Sequence, residues 1–267
     1  MAVVRQLIDG YSQAAPTDRL LVQRRAGYHP TGGMPVVLYC HSAGGSAVEP
    51  ATFISPAAPA NSTVDRLVRA IAEAGYLVVA GDFGLRSNPG DVLFPARLFG
   101  NDEALARMAD ALTWARSKGG GRGGPAQVMG FSMGGGAAQA FAVNYPADVA
   151  SLSLFAPVCS LQDFAANNRA GQAPAVNAAY GGTYVDATHG PLHSPVRFAA
   201  QPSVPADLWF SQIDTTCLPQ FCQQVATAYG DRVTVHDIPG EHGTNAQVAA
   251  INPADVVAFL DAHRPAA

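Results

Sequence analysis

The sequence predicts an α/β fold in which a mostly parallel central sheet carries helices on both faces. The first observation behind it is a set of short apolar runs: "PVVLYC" (35–40), "YLVVAGDF" (76–83), "AQVMGF" (126–131), "SLSLFAPV" (151–158), "ADLWFSQID" (206–214) and "RVTVHDI" (232–238). They are short, apolar and rich in β-branched residues, as the strands of a mainly parallel sheet covered on both faces are. The second is the helical period that appears between them. The third is a composition of 48% hydrophobic and 13% charged residues, which is that of a chain able to bury a core.

Each element has its own signal. The segment before Gly27 reads as one or two antiparallel edge strands, so that the run 151–158 becomes the sixth strand. "STVDRLVRAIAEAG" (62–75) opens with Ser62 and Asp65 in capping-box spacing, sets Val64, Leu67, Val68 and Ile71 on one face, and stops at Gly75. A second helix is expected from about Asn101 to Lys118, with Leu105, Met108 and Leu112 on one side and Gly119 as its stop. A third follows Ser132 and ends before Pro146, and a last one starts at Pro253, a first-turn proline. Residues 159–203 break the pattern. They show no period, and their position after the sixth strand predicts a lid over the carboxyl ends of the sheet.

A chain of 267 residues is read as one domain, 1–267, with the lid as an insertion at about 159–203. The formal net charge of -4 and an isoelectric point near 5.9, with Lys118 the sole lysine, exclude a nucleic-acid partner. No window reaches the length of a membrane span and the first residues lack the apolar core of a signal peptide, so a cytoplasmic location is expected, or a virion if a phage encodes the chain. Cys40, Cys159, Cys217 and Cys222 are too scattered for a disulfide framework, although Cys217 and Cys222 could bridge within a loop.

The chemistry centres on "GFSMGGG" (130–136). Ser132 follows a strand and precedes a helix, the context in which G-x-S-x-G forms a nucleophile elbow. Gly130 and Gly134 leave room for the tight turn, and the helix N-terminus directs amides at developing negative charge. A serine hydroxyl needs a base, and the base needs an orienting acid. His242 in "PGEHGT" and Asp214 at the end of "ADLWFSQID" stand in the chain order such a site uses. Asp214 could instead cap the next helix, with Asp237 as the reserve acid. Oxyanion donors are assigned to the amides of Ala43, in the small-residue loop "YCHSAGGS", and Met133. His41 is expected to hold that loop. "GDFG" (81–84) should border the pocket, and substrate is expected against Ser42, Phe83, Phe164 and Tyr180. No cofactor is expected and no metal: Gly190 and Pro191 between His189 and His193, near Asp186, should deny them a helical presentation.

The set "HSAGG", "GFSMGG", "QID" and "GEHG" resembles the α/β-hydrolase superfamily from about residue 35 to 263. The elbow and the compact length are similar to its dienelactone-hydrolase and cutinase-like esterase branches. The resemblance implies an α/β-hydrolase fold and a serine esterase or lipase-type activity. Phe131 stands where many lipases carry histidine, and "HSAGG" lacks a glycine that often follows the histidine. The lid runs "NAAYGG" and "HSPVRFA" are weakly similar to hydrolase domains of actinobacterial phage tails.

Two functions therefore compete. One is a serine hydrolase cleaving a carboxylic ester with a neutral or apolar acyl group, because the lid carries few charges and several aromatic residues. The other is a binding or structural component of a larger assembly, such as a tail protein recognising cell-envelope esters or glycans. An intact serine, histidine and aspartate set favours the first.

Overall fold

The computed structural model describes residues 2–11, 18–42, 63–83 and 99–266. Eight strands are present there: β1 (Val3–Asp9), β2 (Arg19–Arg25), β3 (Val36–Cys40), β4 (Leu77–Gly81), β5 (Ala126–Phe131), β6 (Val149–Phe155), β7 (Ala206–Phe210) and β8 (Val233–Asp237). They form one sheet in the order β1-β2-β4-β3-β5-β6-β7-β8. The pairs β1 with β2 and β2 with β4 are antiparallel, and every other pair is parallel.

The apolar runs form strands for the reason the sequence suggests. Every residue of β3, β4, β5 and β7 is buried. Successive side chains of a strand leave on opposite faces, so each run feeds two cores. Val36, Leu38 and Cys40 enter one cluster; Val37 and Tyr39 enter the other. The first core lies under α2 (Asp102–Ser117), α3 (Met133–Asn144) and α8 (Pro219–Tyr229). The second lies under α1 (Thr63–Glu73) and α10 (Pro253–Ala262). β1 is the edge and alternates between half-buried and exposed positions for most of its length.

Some boundaries differ from the sequence reading. β7 stops at Phe210, so Asp214 sits four residues beyond it in a turn, and β6 begins earlier than its apolar run, at Val149. Ser62, the expected cap of α1, lies outside the described residues; Asp65 of that helix instead pairs with Arg5 and Arg69.

The stretch 159–203 is helical: α4 (Leu161–Asn167), α5 (Ala173–Ala179), α6 (Asp186–His193) and α7 (Pro195–Phe198). None exceeds eight residues, too few for a 3.6-residue period to emerge from the sequence. Long-range bonds hold them down. The hydroxyl of Tyr180 donates to the carbonyl of Phe99 (2.7 Å), Nδ1 of His193 to that of Gly100 (2.6 Å), and Nδ2 of Asn101 to that of Ala179 (3.0 Å).

The expectation that Gly190 and Pro191 prevent a helix is corrected by α6, which contains both. Proline forfeits one backbone bond there, which a two-turn helix pinned by tertiary contacts tolerates. The two histidines serve that packing: Nδ1 of His189 accepts from the amide of Val185 (2.9 Å), while His193 is bonded to Gly100. Among the described residues no group of three or more His, Cys, Asp or Glu is arranged to hold a metal ion, and no helix is long and apolar enough to cross a membrane.

The chain leaves β3 for β4 on one side and later places β5 on the other side of β3. Strand order reverses at this point, at the carboxyl ends of β3 and β5 where open α/β sheets place their ligand sites. Ser132 stands directly after β5, and His41 directly after β3.

Candidate active site

Ser132 has φ 53° and ψ -118°, a strained conformation for a residue with a side chain. Neighbouring backbone holds it there. Its amide donates to the carbonyl of Phe155 (2.8 Å), and its own carbonyl accepts from Val158 (2.9 Å) and Gly135 (3.0 Å). The glycines around it are needed for close approach of backbone. A Cβ on Gly130 would strike the carbonyl of Gly134, and a Cβ on Gly134 would strike the carbonyl of Cys40 and lie 2.5 Å from that of His41. Gly135 and Gly136 face Pro157 and Val158 in the same way, at 2.7 Å each. The elbow is thus wedged between the ends of β3 and β6. The sequence suggests crowding within the turn, and the crowding is with these two neighbouring strand ends as well.

His242 lies in the loop between β8 and α9 (Asn245–Ala249). Its Nε2 is 2.8 Å from Oγ of Ser132, and its Nδ1 is 2.8 Å from Oδ2 of Asp214. Asp214 is a carboxylate and only accepts, so Nδ1 carries the hydrogen and Nε2 is left to accept from the serine hydroxyl. Ser132 and Asp214 are buried, and the imidazole of His242 remains 18% exposed. The three side chains named from the sequence therefore meet. Asp237, the reserve acid, ends β8 in an exposed position. Asp214 does not cap the next helix: Oδ1 accepts from the amides of Thr216 (2.9 Å) and Cys217 (2.8 Å) in the turn before it, while Oδ2 faces the histidine. α8 itself is entered through Leu218 and Pro219.

Burial alone would push the Asp214 carboxyl upward. The hydrogen bond and charge of His242, with bonds from Gln247 and the Cys217 amide, outweigh burial and hold it below the ordinary aspartate range. The carboxylate thus stays ionised at neutral pH.

The loop of His242 is tied at several points. Oε2 of Glu241 accepts from the amide and hydroxyl of Thr215, both at 3.1 Å, linking this loop to the turn of Asp214. The carbonyl of Glu241 accepts from the hydroxyl of Thr244 (2.8 Å). Gln247 donates from Nε2 to Oδ2 of Asp214 (3.1 Å) and accepts at Oε1 from the amide of Gly243 (2.7 Å). Nothing in the sequence singled out Gln247, because an amide in a short polar helix carries no signature of its own. Cys217 was also missed as a neighbour: its thiol interacts with the Ser132 hydroxyl, and burial followed by the Asp214 charge pushes it well above the usual thiol range. It is a neutral thiol beside the serine.

The remaining site residues divide. Met133 begins α3 and is buried with its side chain in the core; its amide lies at the helix N-terminus. Ala43 lies outside the described residues. Ser42 is half-buried, and its carbonyl accepts from Nδ1 of His41 (2.8 Å). His41 is buried and lies parallel to Phe83, with ring centroids 6.4 Å apart and planes 4° from parallel, and its Nε2 is 3.4 Å from the carbonyl of Asp82. Phe83 is buried in the core, and its ring occupies the space a Cβ on Gly81 would need. Phe164 is buried too and faces Phe99. Tyr180 is half-buried and packs edge-on against Tyr184, with its hydroxyl turned to Phe99. Phe83 and Phe164 are thus buried in the core, and Tyr180 is half-buried against it.

Cys217 and Cys222 are not bridged. All four cysteines are free and buried, and Sγ of Cys222 lies 3.7 Å from Sγ of Cys159. α8 turns Cys222 toward the exit of β6, and Cys217 sits before the helix beside Ser132.

No protein-family model and no curated protein matches the chain. Solved structures do. An inhibited esterase B from Lactobacillus rhamnosis aligns with a TM-score of 0.70 at 17% identity, over 97% of this chain and 87% of that one. A Klebsiella pneumoniae protein assigned as a dienelactone hydrolase aligns at 0.65 and 16%, over 98% of each chain. A Bacteroides ovatus protein assigned as a dipeptidyl aminopeptidase IV aligns at 0.68 and 16% over 98% of this chain, which spans 36% of that longer one. At these identities the likeness is one of fold, and the fold is that of the α/β-hydrolases.

Proposed function

We propose that the protein is a serine hydrolase that cleaves a carboxylic ester with a neutral or apolar acyl group. The observation that carries this reading is the continuous bonded path from Ser132 Oγ through His242 to Asp214, two contacts of 2.8 Å, on a serine held at positive φ. Strain of this kind persists only where the surroundings enforce it. Here it turns the hydroxyl toward the imidazole.

In this reading Oγ of Ser132 attacks the ester carbonyl carbon as its proton passes to Nε2 of His242. Asp214 accepts from Nδ1–H throughout and stabilises the imidazolium. The carbonyl oxygen becomes an oxyanion, for which the amide of Met133 is one donor and that of Ala43 the expected second. The C–O bond to the alcohol then breaks, and the alcohol leaves with the proton from Nε2. Water repeats the sequence on the acyl-enzyme and regenerates the serine. The helical segment 159–203 acts as the lid that selects the acyl group. Its contribution is selective, since each methylene it shelters is worth roughly 0.8 kcal/mol.

Incubation with a fluorophosphonate, followed by intact-protein mass, tests the reading. A single adduct on Ser132, absent in Ser132→Ala, is the expected result, together with turnover of p-nitrophenyl esters somewhere in a series from acetate to palmitate. Unmodified protein beside a labelled control esterase would leave a binding protein in its place.

A further inference from the structure

We propose that Gln247 is a positioning residue, which keeps His242 in register with Ser132 by joining the Asp214 carboxylate to the backbone of the histidine's own loop. The inference rests on the reading of Ser132, His242 and Asp214 as the reacting set.

Gln247 is fully buried on α9, a short helix capped by the hydroxyl of Thr244. A buried primary amide has to place both of its ends, and these two ends reach different parts of the site. Nε2 donates to Oδ2 of Asp214 at 3.1 Å, the same oxygen that receives Nδ1–H of His242. Oε1 accepts at 2.7 Å from the amide of Gly243, the residue after His242. The orientation is dictated by the partners. Turned over, the amide would set oxygen against a carboxylate oxygen and NH₂ against an N–H.

The consequence for Asp214 is saturation. Oδ1 holds the amides of Thr216 and Cys217; Oδ2 holds His242 and Gln247. A carboxylate with about four acceptor positions filled has no alternative orientation to offer the imidazole. The consequence for His242 is a tether directly behind it. Gly243 has φ 67°, a bend that favours glycine and lets the chain swing at this point. The bond from its amide to Gln247 closes that swing. One side chain therefore fixes both the group that orients the imidazole and the chain that carries it. Each of these is needed for the 2.8 Å approach to Ser132.

The test uses two variants of the full chain. Gln247→Met keeps length and removes both bonds. Gln247→Glu keeps the acceptor for Gly243 and sets a second carboxylate against Asp214. Both are expected to lower kcat by about tenfold to a hundredfold, the worth of a hydrogen bond to a charged group, with KM changed less than about twofold. A readout that needs no substrate accompanies them: the low-field NMR resonance of the His242 Nδ1 proton should move, or vanish into exchange with water, in each folded variant. Folded variants that keep both the parent kcat and an unmoved resonance overturn the inference. So does a loss of activity that follows thermal stability alone while the resonance stays put. If the parent protein takes no fluorophosphonate and turns over no ester, the hydrolase reading fails by itself, and the resonance still decides whether Gln247 sets the geometry of His242.

Discussion

Nε2 of His242 lies 2.8 Å from Oγ of Ser132 across 110 positions of chain, so the pair exists only when β5 and the loop after β8 are both in place. Groups that act as a unit are expected to fail as a unit. Ser132→Ala and His242→Ala should each lower kcat on p-nitrophenyl acetate by about 10⁵ to 10⁶, and the double variant should be no worse than either. Asp214→Asn should lose about 10⁴. Additive losses in the double variant would show that the two side chains act separately.

Acid titration should expose the bonded state of Asp214. Its folded carboxyl lies below the ordinary range, because His242, Gln247 and a backbone amide together overcome burial. A depressed aspartate contributes stability that is present above its unfolded value of about 3.9 and lost as pH falls through the folded value. The parent chain should therefore be more stable than Asp214→Asn in urea at neutral pH. The gap should narrow as the buffer is taken below about pH 4. A gap of constant size from pH 7 to pH 3 would contradict the linkage.

Gly134→Ala should destabilise the protein by about 2–3 kcal/mol or prevent folding, because its Cβ enters the space of two carbonyls that cannot move without shifting β3. Gly123→Ala is the control. A Cβ there meets nothing within 4 Å, and a change within about 0.5 kcal/mol is expected. Urea midpoints of the two variants measure the difference. Equal effects would mean that the wedge between the strand ends carries little.

The helices after β6 should respond to mutation as core. Phe164→Ala, at a buried position facing Phe99, is expected to cost about 3–5 kcal/mol. Tyr180→Phe removes the 2.7 Å bond to the Phe99 carbonyl and should cost about 1 kcal/mol. Thermal denaturation separates the two. Any change in acyl-chain preference then has to be measured in variants shown to be folded.

Features that near neighbours in the chain decide were legible in the sequence. The apolar runs mark the strands, and in β3, β4, β5 and β7 every residue is buried, because a residue's side of the sheet follows from its parity. Gly130, Ser132 and Gly134 between a strand and a helix mark the elbow, since the turn is a local conformation. The order of Ser132, Asp214 and His242 was legible for the same reason: a mostly parallel sheet brings its strand ends to one edge. The tertiary structure alone decided the rest. The 2.8 Å contact of Asp214 with His242 requires a turn four residues beyond β7 to meet a loop beyond β8. Cys222 meets Cys159 through helix packing, and α5 and α6 are anchored by bonds to Phe99, Gly100 and Asn101. Gln247 acquires its place only when both its amide ends find partners, one of them 33 positions away. Period and propensity describe a residue and its near neighbours. A hydrogen bond between distant loops depends on where the whole sheet sets their ends.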